Sequence, residues 1–322
     1  ISRIGVAGAL DRRDGMYAFA LWDRQARRLH LVRDRLGEKP LYYGWCGNAF
    51  LFASELKAMA EHPSWQGAID RHAAAAYMQF GYVPAPMSIY HGVHKLPPAH
   101  WLTLDLDAIR LGVLPVPRRY WNQQALIEHA VDAPYDGDIE AVVRRLDRVL
   151  GKSLERRMVA DVSVGAHLSG SVVSLAIAAI AAETAADPVR TFSIGYGDRD
   201  RQAVEQANAA ARWLGTEHTN LEAPKDAPMR TVDRLPRLFD EPYAGRDQLQ
   251  AVLLAESLRE HTTAVLSDVG GEALFGGGPR RRAAADHWRH IRQKPVRRNF
   301  AALALRWCPF RLLNFLGSAG AG

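Results

Sequence analysis

Two segments of this sequence carry side chains whose types and spacing could do chemistry. The first, Leu168-Ser-Gly-Ser-Val-Val-Ser-Leu175, joins an apolar stretch to an alanine-rich one. Gly170 permits a tight turn there, and free N–H groups at the start of a following helix can face a phosphate, with Ser169 and Ser174 adding hydroxyl donors. The second, Ser267-Asp-Val-Gly-Gly-Glu-Ala-Leu-Phe-Gly-Gly-Gly278, follows an apolar strand pattern, exposes carboxylates and turns through Gly276, Gly277 and Gly278. Such glycines let backbone approach a ligand closely, and Asp268 and Glu272 have the chemistry to hold Mg²⁺ or to act as acid or base. Each segment also has a plainer reading. Serine and glycine cap many strand-to-helix turns, and a glycine run by itself is a flexible turn.

The surrounding pattern says how two such segments could meet. Apolar residues at helical spacing predict a helix over 139–158, through Val142, Val143, Leu146, Val149, Leu150 and Leu154. Beyond it, strands over 162–168, 190–195, 218–221 and 263–267 alternate with helices over 172–186, 202–214, 227–238 and 248–260. This alternation predicts crossover units and a parallel sheet covered on both faces. Ligands of such sheets sit beyond the carboxyl ends of the strands, in the loops over 169–174, 195–200 and 268–277.

The first part of the chain is written differently. Alternating aromatic and aliphatic residues over 17–22, 29–33, 41–45 and 50–53 predict antiparallel hairpins. Asp34 with Gly37, and Cys46-Gly-Asn48, are the turn signals between them. Ser54 is the expected N-cap of a helix over 55–60. Four prolines, Pro84, Pro86, Pro97 and Pro98, predict an ordered extended connection over 82–98, followed by a strand over 101–106 and a loop over 111–117. The opening residues, Ile1 to Leu10, read as the interior of a longer segment.

With 322 residues, of which 48% are hydrophobic and 24% charged, the chain can bury the cores of about two domains, which excludes collagen-like and broadly disordered classes. No apolar run approaches the roughly 20 residues that span a bilayer and no signal-peptide pattern is present, so a cytoplasmic protein without a membrane partner is expected. Cys46 and Cys308 supply neither a disulfide framework nor a four-ligand zinc site. The net charge of +6 and pI of about 9.4 favour anionic ligands. Much of that excess lies in Arg280, Arg281, Arg282, Arg289, Arg292, Lys294, Arg297 and Arg298. Without aromatic stacking residues or zinc-finger spacing it reads as a solvated helix face with a flexible end, and nucleic acid is not an expected partner.

Taken in order, many blocks of the chain resemble the glutamine-dependent asparagine synthetases. Gly15-Met-Tyr-Ala-Phe-Ala-Leu-Trp-Asp23, Arg33-Asp-Arg-Leu-Gly-Glu-Lys-Pro-Leu-Tyr-Tyr43 and Phe52-Ala-Ser-Glu-Leu-Lys-Ala58 are similar to blocks of that family's glutaminase domain. Gly81-Tyr-Val-Pro-Ala-Pro86, Ile89-Tyr90 and Lys95-Leu-Pro-Pro98 are similar to its connecting segment. Val159-Ala-Asp-Val162, Leu168-Ser-Gly170, Thr191-Phe-Ser-Ile-Gly195, Leu214-Gly-Thr-Glu-His218, Asp240-Glu-Pro-Tyr-Ala244 and Phe275-Gly-Gly277 match its synthetase domain.

The resemblance implies an α/β protein. A partial N-terminal-nucleophile-hydrolase type glutaminase sandwich with its connector, over 1–125, is followed by a doubly wound parallel α/β, ATP-pyrophosphatase-like synthetase domain over 126–322, incomplete at its C-terminus. It implies conversion of aspartate to asparagine by way of a β-aspartyl adenylate, using ATP, Mg²⁺ and ammonia taken from glutamine, by a chain that can form homo-oligomers. The ATP contacts it implies are Leu168, Ser169, Gly170, Ser174, Ile194, Ser267 and Gly270. Glu272 and Asp268 are the implied catalytic acids, with Glu272 also on the metal.

Several positions depart from the family pattern. Where the family reads Ser-Gly-Gly, an apolar residue and Asp-Ser-Ser, this chain has Ser171 for the second glycine, Val173 for the aspartate and Leu175 for the last serine. In the later loop Asp268 stands for a glycine whose backbone approaches the nucleotide, and Val269 for an acid that assists ammonia attack. Gly245 and Arg246 replace polar residues. The amino-terminal cysteine nucleophile of the family is not in this sequence, and Cys46 cannot replace it, because that chemistry uses the nucleophile's own α-amino group. Impaired ligation and no glutamine hydrolysis by this polypeptide are expected. The alternative is a catalytically lapsed relative that binds nucleotide or a protein partner.

Overall fold

Alternation in the first part of the chain is realised as two facing antiparallel sheets. The computed structural model describes residues 1, 3–159, 162–185, 187–195, 197, 201–224, 226–245, 247–275, 283, 285–287 and 289. Cys308, Arg246, Gly276 to Gly278 and, apart from Arg289, the late basic cluster lie outside them. Two units separate: Ile1–Arg145 with Pro224–Ser257, and Leu146–Ala223 with Leu258–Gly322.

In the first unit the order is α1 (Gly5–Arg12), β1 (Ala18–Asp23), β2 (Arg28–Arg33), β3 (Tyr42–Cys46), β4 (Ala49–Ala53), α2 (Leu56–Ala60), α3 (Arg71–Phe80), β5 (Val93–Lys95), β6 (His100–Asp105), β7 (Arg118–Arg119) and α4 (Gln123–Asp132). One sheet runs β1-β2-β6-β7 and the other β4-β3-β5. Period-two alternation sorts their side chains into layers. Leu31, Leu102 and Tyr43 meet between the sheets; Val32 turns the other way, toward Leu10 of α1; Tyr42 turns toward Leu56, Met59 and Ala73 of α2 and α3. The result is the helix–sheet–sheet–helix layering of the expected sandwich.

The stretch from Arg33 to Pro40 is structural. Asp34 is fully buried and accepts backbone N–H bonds from Tyr17, Leu36, Glu38 and Lys39, while the Arg33 guanidinium donates to the carbonyls of Lys39, Leu96 and Gly37. Two local expectations are corrected. Cys46 is not in a turn: it is the last residue of β3, paired with Ala49, and burial pushes its thiol up. Ser54 does not cap α2; Glu55 holds the cap position without a side-chain bond, and Asp240 supplies the acceptors instead, receiving the N–H groups of Leu56 at 2.8 Å and Lys57 at 3.3 Å. Tertiary contact has replaced the local cap.

Gly44 is the tightest point of this unit. A Cβ there would lie 2.1 Å from the carbonyl oxygen of Gly92 and 2.9 Å from Val93 Cα, both backbone atoms of the β5 edge. Gly44→Ala is therefore expected to destabilise the unit by about 3 kcal/mol or more through forced separation of β3 and β5, read as a lowered urea midpoint.

The second unit begins within α5 (Ile139–Met158) and continues through β8 (Val164–His167), α6 (Val172–Thr184), β9 (Arg190–Gly195), α7 (Arg201–Leu214) and β10 (Glu217–Glu222). The chain then returns to the first unit for α8 (Ala227–Val232), α9 (Leu235–Leu238) and α10 (Asp247–Leu258, all but its last residue), and the second unit closes with β11 (Ala264–Leu266) and α11 (Gly271–Phe275). All neighbouring strands are parallel and lie in the order β10-β9-β8-β11, third, second, first and fourth by sequence, which is the order of doubly wound sheets. Small residues, Ala178 and Ala181 of α6 with Ala207 and Ala211 of α7, bring both helices close onto Ala166 and Leu168.

Beneath α7 the same face carries a polar network that runs from the buried Thr191 and Ser193 out to the exposed Asn220. Thr191 Oγ1 lies 2.8 Å from Thr216 Oγ1 and 2.9 Å from His218 Nδ1, Ser193 donates to Asn220 Oδ1 at 2.6 Å, and Asn220 donates to Asn208 of α7 at 2.7 Å. Burial lowers the His218 pKa, and its bond with Asn220 only partly offsets this. A lowered folded-state value means that the unfolded chain binds more protons as pH falls below the ordinary 6.5, so stability present at neutral pH is lost on acidification. The melting temperature should fall between about pH 7.5 and about pH 5.5, and His218→Gln should flatten part of that slope. His30, His94 and His167, lowered first by burial in the same way, account for the remainder.

Candidate functional site

The strand order makes the site. β8 lies between β9 and β11, and the chain leaves β8 toward β9 but reaches β11 on the other side, so the crevice beyond the carboxyl ends of β8 and β11 is the topological switch point. The two segments singled out in the sequence meet there. Asp268 Oδ2 accepts hydrogen bonds from Ser169 Oγ at 2.7 Å and from Ser171 Oγ at 2.5 Å. Ser171 is also the N-cap of α6, its Oγ accepting the N–H of Ser174 at 3.0 Å, and Ser169 Oγ accepts the N–H of Ser171 at 3.3 Å. Burial acts to raise the Asp268 carboxyl, but the hydroxyls of Ser171 and Ser169, together with its own N–H and the neighbouring His167, outweigh it and hold the group below its ordinary range, as an anion.

The other implied positions fall around this contact. Leu168 is buried and donates its N–H to Phe192 O at 2.7 Å, fixing the loop's start. Gly170 has φ +81°, and a Cβ on it would come within 3.1 Å of Ala203 O, so both conformation and space require glycine. Ile194 is buried near the end of β9, Ser267 directly follows β11, and Gly270 turns with φ +88°. Ser174 is fully buried, its hydroxyl donating back to Ser171 O at 2.9 Å inside the first helical turn. The side chain of Glu272, in α11, lies outside the described residues.

The departures from the family pattern are placed as follows. Val173 is half-buried and packs on Gly271: a Cβ on that glycine would be 2.5 Å from Val173 Cγ1. Val269 is 88% exposed. His167, which the sequence reading did not single out, is the last residue of β8; burial lowers its pKa, and the charge of Asp268 partly offsets that. Its position at a strand end beside the switch point was the available signal. Among the described residues no group of three or more His, Cys, Asp or Glu is placed to hold a metal ion. Val173 and Val269 offer no oxygen to a metal ion, and Asp268 Oδ2 is already bonded to two hydroxyls.

A parallel sheet with a strand–loop–helix turn at its switch point defines the class of α/β proteins that bind ligands at strand carboxyl ends. The sequence pattern of asparagine synthase matches residues 145–317, and that of the glutamine amidotransferase domain matches residues 1–121. The chain belongs to the asparagine synthase family. It is 30% identical over 285 residues to glutamine-hydrolysing asparagine synthetase 3 of Bacillus subtilis, covering 84% of this chain and 44% of that protein. With asparagine synthetase 1 of the same organism the identity is 29% over 270 residues, covering 82% and 39%. The chain thus spans half or less of the length of these relatives. Among solved structures, an ammonia-dependent NAD synthetase from Campylobacter jejuni aligns with a TM-score of 0.30 and 14% identity, covering 42% of this chain and 60% of that one. No helix among the described residues is long and apolar enough to cross a membrane.

Proposed function

We propose that this chain descends from enzymes that convert aspartate to asparagine through a β-aspartyl adenylate, and that in its present form it binds ATP weakly without completing the ligation. Residues 1–125 are the glutaminase-like part with its connector, and 126–322 the synthetase-like part, with Leu168, Ser169, Gly170, Ser174, Ile194, Ser267 and Gly270 at the nucleotide site. Glu272 and Asp268 are the remaining acids.

The observation that carries the reading is the packing of Val173 on Gly271. At the second position of α6, beside the loop where pyrophosphate would form, an apolar contact stands where the family has a carboxylate. Adenylation concentrates negative charge on the leaving pyrophosphate, and without a group that positions a cation there the transition state is poorly stabilised. Val269 removes a second acid, on the side where ammonia attacks.

The test supplies ammonia directly, with ATP, Mg²⁺ and aspartate, and follows AMP and pyrophosphate. Weak ATP binding and no aspartate-dependent product are expected. Turnover at rates ordinary for enzymes, about 1 s⁻¹ or faster, would show that Asp268 or Glu272 has taken over the lost roles.

A further inference from the structure

A loop that turns from a strand into a helix N-terminus at a switch point is suited to take an anion. In this protein an anion already sits there, and it belongs to the chain. Asp268 reaches across from the loop after β11 and accepts both hydroxyl protons that the loop after β8 offers, from Ser169 at 2.7 Å and Ser171 at 2.5 Å. A serine hydroxyl has a single proton, so neither can donate to a second anion while Asp268 is in place.

We propose that Asp268 is a built-in anion that sets the ligand specificity of this site: it selects against pyrophosphate and polyphosphate chains, and leaves the nucleoside part of the site to govern what binds. The inference rests on the reading above in one respect, that the phosphates of a bound nucleotide address this loop.

Three features favour this assignment over an incidental contact. Both partners of the shortest bond, Ser171 and Asp268, stand where the family pattern has glycine, so each departure completes the other. The loop cannot readily swing aside, because Gly170 packs directly on the backbone of Ala203. No described side chain in the two loops brings a cation to the carboxylate: Val172 and Val269 are exposed and apolar, and burial keeps His167 neutral at neutral pH, which leaves only the α6 N-terminus to face a second negative charge. An incoming pyrophosphate must therefore break two charge-assisted hydrogen bonds and tolerate a carboxylate at contact distance.

The test is calorimetric titration of the full chain with inorganic pyrophosphate, without added metal, and in parallel with adenosine. Asp268→Asn keeps the shape and removes the charge. Ser171→Gly frees the carboxylate from one tether, and glycine remains an adequate N-cap for α6. Pyrophosphate affinity should rise about tenfold in Asp268→Asn and by a smaller factor in Ser171→Gly, with adenosine affinity unchanged. The melting temperature should fall in Asp268→Asn, so affinity and stability move in opposite directions, which a purely structural contact would not produce. Equal or weaker pyrophosphate binding in both variants would overturn the proposal. Aspartate-dependent turnover by the unaltered chain would count against the functional reading, and leaves this comparison legible.

Discussion

Changing Val173→Asp together with Val269→Glu should bring aspartate-dependent AMP and pyrophosphate release from undetectable to measurable, with ammonia supplied. Val173 occupies the second position of α6, where the N-terminal end of the helix favours an acid, and Val269 is exposed enough for a glutamate to be accepted at little cost in stability. On the proposed reading the two replaced acids would act at different ends of the reaction, one at the departing pyrophosphate and one beside the attacking amine, so their absence would compound. At about 1.4 kcal/mol for each factor of ten in rate, a deficit of several kcal/mol amounts to three or four decades. Either change alone should recover little, because the other step stays slow. Recovery in the pair should be partial, since Asp268 still holds the two loop hydroxyls; adding Asp268→Gly to the pair should raise the rate again. If the double change leaves product formation at background while ATP still binds, loss of these acids is not the reason for inactivity.

The second large effect is on stability. Glu241 accepts the Ile89 N–H at 2.9 Å and forms an ion pair with Lys95, whose ammonium also donates to the Val83 carbonyl; the side chains of Lys95 and Glu241 are only 15% and 11% exposed. Burial raises the neighbouring Tyr42 pKa well above its ordinary value, with Glu241 and Asp240 adding to the effect, so the surroundings are dry and already negative. Lys95→Met leaves the Glu241 carboxylate buried without its counter-charge, and should cost about 3–5 kcal/mol of stability in the first unit. Lys95→Met with Glu241→Gln should cost less than the sum of the single changes, with a coupling energy of about 1–3 kcal/mol from a double-mutant cycle in urea. Additive effects would mean that the pair is screened by solvent.

Much of the fold follows from local pattern. The helix over 139–158 and the strand over 190–195 were legible to the residue, because helical spacing and a bounded β-rich run each report a single element. Three helices of the first unit, α1, α3 and α4, were not read, although α3 carries a plain start and stop: Asp70 accepts the N–H groups of His72 and Ala73, and Gly81 ends the helix at φ +78°. Its run of alanines hid the periodicity, since alanine fits either face. The loops that could do chemistry were also legible, because glycine, serine and acid residues after apolar strands have few other uses together.

What the sequence by itself determined, then, was which segments turn, which alternate, and which residues could meet an anion. Tertiary structure decided the partners. Asp240 and Glu241 were read with the synthetase blocks, yet they cap α2 and hold Lys95 in the first unit, at separations of well over a hundred residues that no local rule spans. In the second unit, Ser171 and Asp268 look like two unrelated losses when read along the chain, 97 positions apart. Pairing β11 beside β8 brings them to hydrogen-bonding distance, because in a parallel sheet neighbours are set by crossover order and not by sequence distance. A glycine exchanged for serine and another exchanged for aspartate thereby become one bonded pair, and that pair, rather than either residue, determines what the loop can hold.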